Sequence, residues 1–305
     1  MRYDLSRTRF WLTLCNFVGL IISIFTLAMM LFGLQTILDK ADSYEGINTI
    51  IWVFVIVALI SAASIYLQIV LIRFIRTSTD EELIGNRYIL ALFSLGLGGI
   101  MTPFMLTQMP NVDSESKDNP RYTLSKHYGM AALIGGISAI AFFFLMKQKY
   151  HSELEFTNAF DIKATGVQIV LAISAVSFVW GALTVPLFWT KGAKARFDAQ
   201  EGMLYNLMAF VAIINLIVGT LVLVMLMVKA FINLLNAISR LFESRGGFDM
   251  FIALLNLVFV IWYVTFIISI AAQTIKGIWS KNNVVAYKVY TKFDEAKQNR
   301  EYNNR

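Results

Sequence analysis

The stretch that decides the fold, residues 47–72, reads INTIIWVFVIVALISAASIYLQIVLI and holds no charged side chain. A helix rises about 1.5 Å per residue, so about 20 mostly apolar residues cross the roughly 30 Å of hydrocarbon in a bilayer. Strands of a membrane barrel are about ten residues long and alternate apolar with polar side chains. Because residues 50–56 are apolar without a break, the stretch indicates a transmembrane helix rather than a barrel strand.

Six other uncharged stretches share this character: residues 10–34, 88–107, 128–146, 164–190, 204–228 and 250–275. The 26 basic and 20 acidic residues of the chain all lie outside the seven stretches, as the cost of an ion in hydrocarbon requires. A soluble domain carries about a quarter charged residues, whereas this chain carries 15% and is 57% hydrophobic. The sequence therefore predicts an all-α fold, a polytopic transmembrane helix bundle in contact with the lipid bilayer.

The basic residues at the two ends of the chain predict its orientation. Arg2, Arg7 and Arg9 precede the first stretch, and basic residues concentrate in cytoplasmic segments, so we expect a cytoplasmic N-terminus. The tail after residue 276 is also rich in lysine and arginine, which places the C-terminus on the same side. The expected location is the cell membrane, with one bundle domain at residues 1–276 and a short basic polar tail at residues 277–305.

The number of spans stays open between six and seven. Seven spans would divide the 26 basic residues into 12 inside and 14 outside, which is no bias. If one stretch fails to cross, the division can reach 19 against 7. Residues 164–190 and 88–107 both give this result, and the second stretch is the weaker helix because it contains Gly96, Gly98, Gly99 and Pro103.

Little in the chain resembles a catalytic, metal or cofactor site. Its two histidines, His127 and His151, fall in predicted polar loops, the first of them at the end of a flexible connection over residues 108–127. Metal sites need clusters of His, Cys, Asp or Glu, and nucleotide sites need glycine-rich motifs that do not occur here. We therefore expect no enzyme activity, no cofactor, no bound metal and no nucleic-acid partner.

Small residues at helical spacing predict close helix contacts. Residues at i, i+4 and i+8 share one helix face, and small side chains there form a groove that admits a second helix. Two of the apolar stretches carry such a series, one each in residues 88–107 and 128–146: Ser94, Gly98 and Thr102, and Ala131, Gly135 and Ala139.

Polar residues and prolines within the apolar stretches are candidates for a solute path. Broken helices expose backbone to solutes in many transporters, and polar side chains in a span either line a path or bond to a neighbouring helix. The candidates for a path are Thr102, Pro103, Gln168, Thr184, Pro186 and Asn215.

Residues 229–243 are predicted to form a separate amphipathic helix along the membrane surface. Their apolar side chains recur on one helical face, and Lys229 can end the preceding span by reaching the interface. One straight helix through residues 204–243 would be about 60 Å long, roughly twice the hydrocarbon thickness, so a bend near Lys229 is expected. The alternative is a straight extension into the cytoplasm that packs against another chain.

Two functions are compatible with this pattern. The first is a non-catalytic, multi-pass membrane component that assembles with other membrane protein subunits or with itself. The alternative is a permease or facilitator for a small uncharged solute. Ion-coupled transport is the weaker form of that alternative, because coupled transporters keep ionisable groups within the membrane and none of the seven stretches holds one.

Overall fold

The computed structural model describes residues 5–38, 44–95, 101–107, 109, 114–115, 119–149, 165–244, 246–279 and 286–287. Within them the chain forms ten helices: α1 (Ser6–Leu38), α2 (Tyr44–Thr77), α3 (Asp80–Gly85), α4 (Arg87–Phe93), α5 (Met101–Thr107), α6 (Pro120–Lys149), α7 (Thr165–Trp189), α8 (Ala193–Ala199), α9 (Gly202–Glu243) and α10 (Phe248–Ile278). Two strands of two residues each, β1 (Ser114–Glu115) and β2 (Ala286–Tyr287), pair antiparallel.

Six of these helices are long and apolar enough to cross a bilayer: α1, α2, α6, α7, α9 and α10. This confirms the prediction of an all-α polytopic bundle, and the protein is a multi-pass membrane protein in contact with lipid. Long apolar helices are the expected form here because a backbone within hydrocarbon must satisfy its own hydrogen bonds.

The stretch over residues 88–107 does not form a span in the described part of the chain. It is divided between α4 and α5, which have seven residues each and so extend only about 10 Å. Helix α4 ends at Phe93, and the backbone N–H groups of Ser94 and Leu95 close its last turn. Of the two predicted span numbers, the described residues therefore give six.

The first four spans pack as consecutive neighbours, α1 with α2, α2 with α6 and α6 with α7. Consecutive spans cross the bilayer in opposite directions, so these neighbours are antiparallel. Helices α4 and α5 add to the core beside α1 and α2, where Leu12, Leu71 and Leu106 are fully buried. Helices α9 and α10 form a hairpin, and α9 joins it to α6 and α7.

Both ends of the described bundle lie at one end of the molecule. Leu5, which precedes α1, and Ile278, at the end of α10, belong to the same buried cluster as Leu83 and Met109. At this end Arg9 donates from Nε to Asp80 Oδ1 at 2.9 Å, which ties the start of α1 to the start of α3. We call it the Arg9 end. With six crossings, the N-terminal end of the first span and the C-terminal end of the last span both lie at the Arg9 end.

The predicted surface helix over residues 229–243 is wrong, because α9 is one continuous helix of 42 residues. Its second half packs along α10, where Ala230 is buried against Val264 and Ile267. The indole N–H of Trp279 donates to Thr220 Oγ1 at 2.7 Å, so the end of α10 lies level with the middle of α9. The second half of α9 therefore packs on α10 of the same chain rather than on another chain.

Candidate functional site

The two predicted small-residue series have different positions in the structure. Ala131, Gly135 and Ala139 lie buried on α6, and a Cβ at Gly135 would be 2.9 Å from the Leu59 carbonyl oxygen of α2. The other series is not one helix face, because Ser94 follows α4 while Thr102 belongs to α5, both fully buried. Gly98 lies outside the described residues. A role of these residues in assembly stays a prediction.

The closest approach of α6 to α7 uses glycines that the sequence did not single out. A Cβ at Gly136 would be 2.6 Å from the backbone nitrogen of Phe178, and one at Gly181 would be 2.6 Å from Cα of Leu133. Gly129 likewise faces the side chain of Thr184. Gly129 and Gly136 are seven residues apart and so share a helix face, which was the signal available in the sequence.

The predicted path residues are spread over the bundle rather than gathered. Gln168 lies near the start of α7, whereas Pro186 lies exposed near its other end, about 27 Å away at about 1.5 Å per residue. Thr102 and Pro103 are buried on α5. Thr184 is buried against α6, and Asn215 Oδ1 accepts a hydrogen bond from the Trp180 indole at 3.0 Å.

His127 is not in a polar loop, so that prediction is wrong. Helix α6 begins at Pro120, two turns earlier than expected, and His127 lies half-buried on it. Its Nδ1 is 2.9 Å from the Tyr66 hydroxyl, and Phe93 and Trp189 present their rings edge-on at 5.7 and 5.9 Å between centroids. The Trp189 indole donates to the Lys126 carbonyl at 3.0 Å. These contacts join α6 to the middle of α2 and to the end of α7.

Buried polar side chains occur on both α1 and α2. Five polar side chains of these two helices are each at most 2% exposed: Asn16, Ser23, Ser61, Ser64 and Gln68. Residues 16 and 23 are two turns apart on α1, and residues 61, 64 and 68 share one face of α2. The hydroxyls of Ser23 and Ser64 meet at 3.1 Å across the interface. We call this group the α1–α2 polar cluster.

The α1–α2 polar cluster lies at the centre of the two spans. The spans Ser6–Gly33 and Trp52–Thr77 have their midpoints between residues 19 and 20 and between residues 64 and 65. Each of the five residues is therefore within about 5 Å of the midpoint of its own span, Asn16 and Gln68 on the side of the Arg9 end and Ser23 and Ser61 on the other side. The interface is apolar on both sides of the cluster, at Leu12 and Leu71 in one direction and at Met30 and Phe54 in the other.

Several atoms of the cluster have no hydrogen-bond partner among the described residues. They are both amide atoms of Gln68, Asn16 Oδ1 and Ser61 Oγ. Asn16 uses its Nδ2 to donate to the Leu12 carbonyl of its own helix at 2.7 Å. The sequence analysis did not single out Gln68, because one glutamine in a stretch of 26 uncharged residues does not show whether its amide has a hydrogen-bond partner.

In the described part of the chain, no three His, Cys, Asp or Glu side chains lie together in a group that could hold a metal ion. Comparison with known proteins gives no relative from which a site could be transferred: no family model, no curated protein and no solved structure matches this chain. The functional inferences below therefore rest on the geometry of this chain alone.

Proposed function

We propose that this protein is a non-catalytic membrane subunit that binds another membrane protein, or a second copy of itself, through the hairpin of α9 and α10. The observation that carries the proposal is the low burial of α10. In its most apolar stretch only 11% of the residues are buried, against 22% to 39% in the corresponding stretches of the other five spans. A helix of 31 residues that contributes so little to the core of its own chain offers most of its surface to the bilayer and to partners.

Polar groups on this surface favour a protein partner over lipid. Trp262 lies at the middle of α10, 56% exposed, although tryptophan in spans concentrates near the headgroups. Asn233 and Asn236 are exposed on α9 beside Leu234, which packs against α10 near Val260. No described residue accepts a hydrogen bond from the Trp262 indole or bonds to either amide. Lipid tails offer no hydrogen bonds, whereas a neighbouring transmembrane helix can supply them.

Aromatic packing gives this face the composition of a contact surface. Trp262 stacks on Phe266 with ring centroids 5.6 Å apart and contacts Phe259 at 5.8 Å. Exposed aromatic residues are enriched in protein interfaces because they bury large areas with little loss of side-chain entropy. The ring group therefore gives α10 exposed apolar area and one hydrogen-bond donor, and the two amides give α9 exposed hydrogen-bonding groups.

Photocrosslinking in intact membranes tests the assembly. A photoreactive amino acid at Val258 of α10, which is 59% exposed, is expected to attach the chain covalently to another protein or to a second copy. The same amino acid at Val176 of α7, which is 68% exposed, serves as the matched control and is expected to give no protein adduct. Adducts of equal yield at both positions, or none at Val258, would contradict the proposal.

We further propose that the Arg9 end faces the cytoplasm and that the membrane is the cell membrane. Six spans assign 19 of the 26 basic residues to the side of the Arg9 end, which is the bias that cytoplasmic segments carry. Compartment-sensitive reporters fused to the N- and C-termini are both expected to report the cytoplasm. Opposite signals from the two fusions would require a seventh crossing, and two external signals would invert the orientation.

A further inference from the structure

Three basic residues lie close to one another where α6 meets the end of α7. The Lys126 ammonium lies over the indole of Trp189, 4.6 Å from a ring centroid, and the indole N–H donates to the Lys126 carbonyl at 3.0 Å. Lys191 follows two residues after Trp189, so its Cα is at most about 7.6 Å from that of Trp189. The Lys191 carbonyl in turn accepts a hydrogen bond from the Arg196 guanidinium of α8 at 2.9 Å. We call Lys126, Lys191 and Arg196 the α6–α8 basic group.

The α6–α8 basic group lies at the boundary of the hydrocarbon. The uncharged stretch of α6 begins at residue 128, two positions after Lys126, and that of α7 ends at residue 190, one position before Lys191. Trp189 is 43% exposed, and tryptophan near the end of a span lies at the level of the lipid headgroups. Because α6 is the third span and α7 the fourth, this boundary is on the side of the Arg9 end.

The basic group has no acidic partner in the part of the chain that the structure describes. None of its three side chains forms an ion pair there, and the Lys126 ammonium contacts only the rings of Trp189 and Tyr122. Lys191 and Arg196 are both exposed. Residues 190–199 carry three basic side chains against one acidic side chain, that of Asp198. Positive charge at headgroup level attracts anionic lipid headgroups.

We propose that the α6–α8 basic group binds the headgroup of an anionic phospholipid, with the lipid phosphate at the Lys126 ammonium. Trp189 holds that ammonium in place through its ring, and its own indole N–H is fixed by the Lys126 carbonyl. Lys191 and Arg196 add positive charge beside it. A zwitterionic headgroup carries its own cation and gains less from this charge than an anionic one. The site involves neither α10 nor the second half of α9, so it does not depend on assembly through the hairpin.

Native mass spectrometry of the full chain, titrated with phosphatidylglycerol or with phosphatidylcholine, tests the site. We expect phosphatidylglycerol to bind more tightly than phosphatidylcholine. Lys126→Gln together with Lys191→Gln is expected to weaken phosphatidylglycerol binding by at least about tenfold, since one basic residue near an anionic membrane surface contributes about fivefold. The binding of phosphatidylcholine should not change.

Arg73→Gln together with Arg76→Gln is the matched control. Both arginines are exposed near the end of α2, on the same side of the membrane, and the same number of positive charges is removed. The acidic residues Asp80, Glu81 and Glu82 follow them at the start of α3 and offset their charge. We therefore expect the control to change phosphatidylglycerol binding by less than about twofold.

A single conservative variant separates loss of charge from loss of packing. Lys126→Arg keeps a cation over the Trp189 ring and is expected to bind phosphatidylglycerol as the unchanged chain does. A loss with Lys126→Arg as large as that with the glutamine variant would overturn the proposal. Equal losses in the two double variants, or no loss in either, would do the same. Displacement of the lipid by inorganic phosphate would also overturn it, because the site would then recognise a free phosphate rather than a phospholipid.

Discussion

Replacement of Gly136 or Gly181 by alanine is expected to lower the free energy of unfolding by about 3 kcal/mol or more, because the added methyl group meets backbone atoms of the facing helix. The new Cβ would lie 2.6 Å from Phe178 N in the first case and from Leu133 Cα in the second. Backbone cannot rotate aside as a side chain can, so α6 and α7 must separate along their length. The measurement is unfolding of the purified chain by titration of mixed micelles with denaturing detergent.

Gly33 provides the matched control for this prediction. It lies within a helical span as the other two do, but a Cβ there would meet no atom within 4 Å. Alanine is the better helix former, so Gly33→Ala is expected to leave stability unchanged or to raise it by less than about 1 kcal/mol. Equal losses at all three positions would mean that the effect comes from the helix itself. The close approach of α6 to α7 would then contribute nothing measurable to the free energy of unfolding.

The membrane fold was predictable from the sequence because exclusion of charge acts on every residue of a span. The contacts between spans were not, as α6 illustrates. Its small residues were assigned to one groove, yet the helix packs on two neighbours through different faces, with Gly135 towards α2 and Gly136 towards α7. A pattern of small residues indicates that a helix comes close to another helix. It does not indicate to which helix, because that depends on segments far away in the chain.

For the buried polar residues too, the sequence shows which side chains are polar but does not show what they contact. Asn215 and Thr184 were chosen for a solute path from their polarity alone, but one pairs with Trp180 and the other lies against Gly129. Gln68 has the same residue chemistry, and only the structure shows that its amide lacks a partner among the described residues. His127 was misplaced for a related reason, since Arg121 and Lys126 ended the apolar stretch while the helix continued through them to Pro120.

The form of α9 that the sequence predicts and the form in the structure differ in a distance that can be measured. The sequence argument assumed that a helix longer than the bilayer must bend, because nothing local would support its second half. The structure supplies support from α10, which buries Ala230 and Leu234 along that half. A continuous helix and a helix that turns along the surface at Lys229 differ in the distance between their ends by many ångströms.

Distance measurement by electron spin resonance should therefore find the long form. In the Cys15→Ser background, spin labels at Met203 and Phe242, which are 90% and 83% exposed, are separated by 39 positions. At about 1.5 Å per residue the continuous helix places them about 58 Å apart, whereas a right-angled bend at Lys229 would bring them to about 44 Å. Labels at Met203 and Val228 lie on the same side of the bend and should be about 38 Å apart in either form. A Met203–Phe242 distance of about 44 Å with an unchanged Met203–Val228 distance would support the surface helix. It would contradict the continuous α9 and its packing along α10.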